Sequence, residues 1–482
     1  MGKQPCGQST TETGQQNGIE RKPSSSDRAR YRREGIAIKD EHLACVLRGQ
    51  ACLLSDGAMG TMLDAYGLVE GGKLPDLLCI ENPQAVTAIH AAYVEAGAEM
   101  VTTNTFGSNG LKLGGEGRVA KLYAAAISCA QAAGARYVGA DIGPLGELLA
   151  PWGDLPFDHA YELFAEQVRA ADDAGADVIV IETMSDILEM KAAVLAAREN
   201  CSLPVFATMT FSAGGRSFLG VSPGVAALTL ESLGVAALGI NCSLGPSEVL
   251  PFVEEMAALT SLPLCVSPNA GLPRMDGGRT VYDVSPQDFA TALVPLLEAG
   301  ASIIGGCCGT TPAFIEAAAK TLRGKTPRRR PGLADASARI SAASPQRTSF
   351  FATEEATLAA MRPCVDEAQH PGLESQVKAN DYSALVDAAL DLQDDGAQLL
   401  EVFLDFQGMD EKEALPALVT ELQSMVKVPL CLAAQDPEAL EAAIRVCAGK
   451  PAVSLKTTND QDRKALIAKA AKYGCPVIGA EG

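Results

Sequence analysis

Two cysteines stand side by side in IIGGCCGTTP, residues 303–312, between glycines at the end of an apolar run. A third, Cys242, closes another such run in GINCS, residues 239–243. Two carboxylates occupy the same kind of position, Asp56 after ACLLS and Glu182 after DVIVI. Thiolates are good ligands for borderline-soft metals, and three of them with one open position suit Zn2+, which takes four ligands and favours sulfur. Three anionic ligands make such a centre a poor source of hydroxide. It is better at holding a fourth thiol as thiolate near neutral pH. The expected chemistry is alkyl transfer to a thiol, with Asp56 and Glu182 holding a cationic amino group on it, which makes an amino acid thiol the natural acceptor. Plainer readings stand beside this one. GGCCG also suits a packing turn with buried thiols, or a vicinal disulfide, which is strained and lacks CxxC spacing. Asp56 and Glu182 also suit helix capping at strand ends. Neighbouring side chains on a regular strand face opposite ways, so both sulfurs of the pair reach one ion only if Gly305, Gly306 and Gly309 let the backbone turn.

The elements that must position these residues follow from the hydrophobic pattern. From residue 43 onward, eight apolar runs alternate with helical stretches: ACLLSDGAMG, EMVTTNTFG, RYVGADIGP, DVIVIETMS, PVFATMTFS, AALGINCSLG, LPLCVSPNAG and IIGGCCG. Each reads as a buried strand running into Gly, Asn, Asp or Ser. Eight strand–helix repeats over residues 43–325 predict a (β/α)8 barrel. A doubly wound open sheet would want GxGxxG or a P-loop in its first turn, and neither is present. The C-terminal strand ends of a barrel form its active face, and they bring together Asp56, Thr103, Asn104, Asp141, Glu182, Thr210, Asn241, Cys242, Asn269, Cys307 and Cys308. None of His42, His90, His159 and His370 falls at a strand end, and these are read as solvated or satisfied residues.

The flanking segments differ. Residues 1–42 are polar, lack the apolar core of a signal peptide and read as a disordered arm, its Arg28–Arg33 cluster a solvated tail. Residues 326–347 lie in a stretch rich in Pro, Arg, Ala and Ser and read as a linker. In 348–482 the alternation resumes with TSFFAT, QLLEVFLDF, VPLCLAAQ, PAVSLKTT and CPVIGAEG, separated by four helix patterns. Five strands make a second, incomplete parallel α/β unit that must pair, dock or close on itself. The whole is 482 residues with a net charge of −20, which excludes nucleic acid as the main partner. No apolar window is long enough for a membrane span. The 14 cysteines are scattered rather than set in a framework, which places the chain in a reducing cytoplasm with free thiols.

Six motifs in order carry a resemblance: DGAMGTML (56–63), TTNTFGSN (102–109), GADIGPLG (139–146), IETMSD (181–186), GINCS (239–243) and GGCCGTTP (305–312). Through them, residues 43 to about 325 resemble the homocysteine S-methyltransferase domain of cobalamin-dependent methionine synthases and betaine–homocysteine methyltransferases. The resemblance implies that Cys242, Cys307 and Cys308 bind zinc, that Asp56 and Glu182 hold the homocysteine amino group, and that backbone at Gly57 to Gly60 helps seat the carboxylate. Asn104 in the second motif joins the substrate contacts. Residues 345–482 are similar to the start of the pterin-binding domain of methionine synthase, but the family's polar strand ends are replaced by Glu401-Val402-Phe403 and Ala433-Ala434-Gln435. No DxHxxG run for a cobalamin is present. The implied activity is methionine formation from homocysteine, with the methyl group arriving on a separate corrinoid protein or a small methylated sulfonium or ammonium compound. Two alternatives remain open at this point: demethylation of a small methylated amine toward a corrinoid protein, and a non-catalytic zinc-holding scaffold. The C-terminal half-domain is expected to dock a partner or a second copy of the chain.

Overall fold

The computed structural model describes residues 31–33, 35–69, 71–115, 117–272, 274–276, 279–328, 340–351, 354–364, 372–404, 406–457 and 459–479. Eight parallel strands build its larger unit: β1 (Leu53–Leu54), β2 (Met100–Thr102), β3 (Tyr137–Ile142), β4 (Val178–Met184), β5 (Val205–Met209), β6 (Ala237–Asn241), β7 (Leu264–Ser267) and β8 (Ala301–Ile304). Each strand pairs with its neighbour in sequence from β2 through β8, and β8 pairs with β1. A bridge between Ser55 and Met100, with Glu99 N–H donating to Leu54 O at 2.8 Å, closes the ring. This is the expected (β/α)8 barrel, its strands buried on both faces because helices cover the outside.

Alternation along the strands sorts the barrel interior by depth. At the N-terminal end Leu53, Met100, Tyr137, Val178, Val180, Phe206, Ala237, Cys265 and Ile303 form one apolar cluster. Two or four residues further along the same faces come Asp141, Glu182, Thr208, Asn241 and Ser267. The apolar end is plugged from below by Ile38, Leu43, Ala44, Val46 and Leu47, which belong to the same cluster. The plug is fastened by Ala37 N–H to Ser202 O at 2.7 Å and by Lys39 Nζ to Arg136 O at 2.7 Å and Asp177 at 2.9 Å. The disordered arm read for residues 1–42 therefore needs correcting at its end. Residues 1–30 lie outside the described residues, but Ile36–Ile38 is a strand and a helix starts at Glu41. The apolar run there, Ile36–Ile38, is three residues long, too short to stand out from a polar tail.

The smaller unit holds five parallel strands in sequence order: β9 (Met361–Pro363), β10 (Leu399–Val402), β11 (Leu430–Ala434), β12 (Ala452–Leu455) and β13 (Val477–Ile478). The count matches the sequence reading, but the first strand differs. Thr348–Phe351 pairs antiparallel with Ile340–Ala343, inside the expected linker, and this hairpin packs Ala342 and Phe351 on the sheet face formed by Leu399, Cys431, Ala452 and Ile478. The edge position goes to β9, whose Pro363 is tolerated because an edge strand has a free side.

The unit docks onto the barrel through the C-terminal end of helix Pro437–Val446. Lys191, from barrel helix Ile187–Asn200, is buried and donates to the carbonyls of Ile444 at 2.5 Å and Cys447 at 2.7 Å. A buried ammonium thus meets the orphan carbonyls and negative end of a helix. Around it Arg445 lies 4.7 Å over the Tyr161 ring and 3.5 Å from Glu199, which also takes Lys472 at 2.9 Å. Among the described residues no helix is long and apolar enough to cross a membrane. Replacing Lys191 by Ala strips two buried carbonyls of their donor and opens a cavity, so stability should fall by about 2–4 kcal/mol. The check is the denaturant midpoint together with faster proteolysis within residues 340–479.

Candidate metal centre

The sulfurs of Cys242, Cys307 and Cys308 lie within 4.8 Å of one another, and those of Cys242 and Cys308 are 3.8 Å apart. Four ligands at the Zn–S distance of about 2.3 Å in a tetrahedron sit about 3.8 Å from each other. The spacing therefore fits a zinc ion with three protein ligands and an open fourth position. The thiols form one hydrogen-bonded set. Bonds from Cys242 and Cys307 pull Cys308 down to about 3, while Cys307, bonded to Cys242 and Cys308 and buried, is held well above the ordinary thiol range. The set thus readily carries one negative charge, and a cation at its centre is what would bring all three to thiolate.

Local backbone explains how neighbours in sequence reach one point. Cys242 and Ser243 both have φ of 63°, the left-handed region in which a residue with a Cβ is strained. The turn there takes Cys242 off the strand direction, so that it and inward-facing Asn241 both serve the mouth. The other two cysteines sit on a loop held by three main-chain hydrogen bonds. Gly306 N–H donates to Asp56 O at 2.9 Å, Cys307 N–H to Pro268 O at 2.8 Å, and Ala270 N–H to Cys308 O at 3.0 Å. Thr310 locks it from within: its Oγ1 donates to Cys307 O at 2.7 Å and accepts from Ala58 N–H at 3.2 Å. The glycines do two different jobs. Gly309 supplies a left-handed turn, at φ 81°. Gly306 makes room, since a Cβ on it would lie 2.5 Å from Thr310 Oγ1.

The two acids sit beside the thiols. Asp56 takes Thr102 N–H at 2.9 Å on Oδ2 and Ser55 Oγ at 3.2 Å on Oδ1, yet burial pushes its carboxyl up to about 7. Glu182 is pushed up to about 8 by burial, then by Cys242 and Asp56. Asn241, a strand-end residue to which the sequence gives no role, links the two groups. Its Nδ2 donates to Glu182 at 3.2 Å and Thr183 Oγ1 at 2.7 Å, and it lies 3.9 Å from the Cys307 sulfur. Its Oδ1 accepts from Thr183 N–H and Thr208 Oγ1, both at 2.8 Å. Gly57 is packed against Thr310 and Tyr93, whereas a Cβ on Gly60 would enter open space. These two flank the start of helix Met59–Ala65, which has no side-chain cap. Asn104 is buried, and its Nδ2 donates to Pro75 O at 3.0 Å, which fastens a neighbouring loop. Tyr93, within 3.1 Å of Ala58 O and 3.2 Å of Thr310 O, and Tyr282, whose hydroxyl bonds Cys308, were missed because both come from outside the strand ends. Of the histidines, His42 meets Glu99 at 3.1 Å, and His159 lies in helix Phe157–Ala174. His90 is buried with both ring nitrogens unpartnered, contrary to the solvated or satisfied reading, and His370 lies outside the described residues.

The homocysteine S-methyltransferase family model matches residues 53–322, more than half of the chain. The chain belongs to that family. A second model, of the CO dehydrogenase/acetyl-CoA synthase delta subunit, matches residues 396–481. Methionine synthase of Mycobacterium tuberculosis (strain ATCC 25618 / H37Rv) is 32% identical over 471 residues, covering 92% of this chain and 39% of that protein. Methionine synthase of Mycobacterium leprae (strain TN) is 31% identical over 452 residues, 86% of this chain and 36% of that protein. The chain thus spans well under half the length of these relatives. Among solved structures, the oxidized form of the homocysteine methyltransferase MmuM from Escherichia coli is 26% identical over 58% of this chain and 98% of that one, with a TM-score of 0.49. Its metallated form is 27% identical over 57% and 98%, also with a TM-score of 0.49. In the C-terminal unit, Glu401 is already engaged, by Ser454 Oγ at 2.6 Å and Lys456 Nζ at 2.8 Å.

Two outcomes follow for the family site. Gly306→Ala forces Thr310 off the ligand loop, so zinc affinity measured by chelator competition should drop about 10- to 100-fold. Asp56 and Glu182 hold their protons more tightly folded than unfolded, where carboxyls titrate near 4. Metal-free protein should therefore lose stability as pH rises from about 4 through about 7 and 8, and Asp56→Asn should flatten that slope in thermal unfolding.

Proposed function

We propose that this chain is a cytoplasmic, zinc-dependent S-methyltransferase that passes a methyl group to the thiolate of homocysteine and yields methionine. The observation that carries the reading is the meeting of the three sulfurs, within 4.8 Å, with the buried carboxyls of Asp56 and Glu182 at one barrel mouth. Membership of the family supports the acceptor, and the methionine synthases among its relatives support the product. Free thiols throughout the described cysteines agree with a reducing compartment.

In this reading Cys242, Cys307 and Cys308 hold the zinc, which supplies Lewis acidity that keeps the substrate sulfur ionised near neutral pH. Asp56 and Glu182 ionise against the substrate ammonium, each countering the burial that otherwise keeps it protonated. Asn241 orients Glu182 through Nδ2. The amino acid carboxylate lies toward the backbone at Gly57 to Gly60, with Asn104 fixing the loop beside it. The sulfur lone pair forms the new S–C bond as the bond from the methyl carbon to its carrier breaks, and that bonding pair leaves with the carrier. The carrier is a separate methyl-corrinoid protein or a small sulfonium or ammonium compound, which arrives at the open mouth. The C-terminal unit serves as a docking element for that carrier or for a second copy of the chain.

Removal of the metal with a chelator should abolish methionine formation in a donor screen at fixed homocysteine, and added Zn2+ should restore it. Cys308→Ser should weaken zinc binding by at least about 100-fold and lower turnover with it. Full turnover by metal-free protein would overturn the reading.

A further inference from the structure

Asp141 is the last inward-facing residue of β3 and is 5% exposed. Its backbone is fully engaged: its N–H donates to Thr103 Oγ1 at 3.0 Å, and its carbonyl accepts Thr105 Oγ1 at 2.7 Å and the Tyr123 hydroxyl at 3.0 Å. Its carboxylate is only half engaged, taking a backbone hydrogen bond from Ile142. Among the described residues, Asp141 Oδ1 is the one buried carboxylate oxygen without a hydrogen-bond partner. Other buried acids of the barrel are served. Asp76 accepts Gly107 N–H and Ser108 Oγ, Asp186 caps Leu188 N–H, and Glu189 accepts Leu145 N–H. A buried acceptor left bare is costly, and native structures rarely keep one without a ligand, ion or water to fill it.

The neighbourhood indicates what would fill it. Burial, then the charges of Glu182, Asp76 and Asp56, raise the Asp141 carboxyl well above its ordinary range. Asp141 therefore belongs to the same acidic cluster as the two proposed amino-group ligands. An ammonium carries three N–H donors in a tripod and wants three acceptors. The oxygens of Asp56 already accept from Thr102 and Ser55, and Glu182 Oε2 from Asn241. Asp141 Oδ1 adds to this cluster a fully buried acceptor that no donor among the described residues occupies.

We propose that Asp141 is the third acceptor for the α-ammonium of the substrate, beside Asp56 and Glu182, and that it makes the site specific for thiols that carry an amino group. The assignment rests on the homocysteine reading above.

The test is calorimetric binding to the zinc-loaded full chain of L-homocysteine and of 4-mercaptobutanoate, which has the same thiol and carboxylate and no amino group. Asp141→Asn should weaken homocysteine binding about tenfold or more and leave 4-mercaptobutanoate within about twofold, so that the preference collapses. Asp141→Ser should do the same if the amide folds poorly, and retained 4-mercaptobutanoate binding shows in either variant that the zinc site is intact. Equal loss for both thiols, or no loss for either, overturns the assignment. A wild-type protein that binds both equally overturns it as well, while leaving thiol methylation standing. A wild-type protein that binds neither removes the homocysteine reading and this one together.

Discussion

Three sulfurs held within 4.8 Å, and largely out of water, are the constraint on which the rest of the barrel mouth depends. Left to themselves, three thiolates at that spacing repel one another, and burial adds to the penalty. The protein meets the problem with backbone. The ends of β1 and β7 make main-chain hydrogen bonds to the loop of Cys307 and Cys308, and Cys242 N–H donates to Ser267 O, so the backbones that carry the three sulfurs cannot drift apart. Thr310 is the centre of this arrangement, because one hydroxyl joins the end of β8 to the turn after Asp56.

The acids show the same economy in another form. Polar residues occupy only the last inward positions of β3 to β7, and the positions below them are apolar. The carboxyls are therefore set on a dry floor, which raises their proton affinity and makes each one responsive to any cation that arrives. Asn241 connects the two halves of the site. It touches Glu182 on one side and approaches the Cys307 sulfur on the other, so a shift at the sulfurs is felt at the acid and the reverse.

Much of this was legible in the sequence, for identifiable reasons. The eight barrel strands are short apolar runs with turn residues after them, and that pattern alone places Asp56, Glu182, Cys242, Cys307 and Cys308 on one rim. The glycines around Cys307 announce a tight turn, although only Gly309 uses a left-handed backbone. The turn at Cys242 was not legible, because a strained residue with an ordinary side chain leaves no mark in composition. Tyr93 and Tyr282 come from a helix and a loop, where no periodic signal aims a side chain at the mouth. In the C-terminal unit the hairpin strand Thr348–Phe351 looked like the first sheet strand because it is the more apolar, while β9 is three residues long and ends in proline. Lys191 reads from sequence as one more surface lysine on a helix, and only docking makes it a buried one.

The plug at the base of the barrel bears on how the chain reaches this state. Its apolar residues precede β1, yet its fastenings lie 97 and 138 positions downstream, on Arg136 and Asp177. Contacts so distant form late, since the loops they close carry a large entropic cost. During synthesis Ile38, Leu43, Val46 and Leu47 emerge before the barrel strands and find their full cluster only after β8 has left the ribosome, for Ile303 is part of it. The nascent chain therefore carries an uncovered apolar segment until the barrel is nearly built, an interval in which aggregation competes with folding.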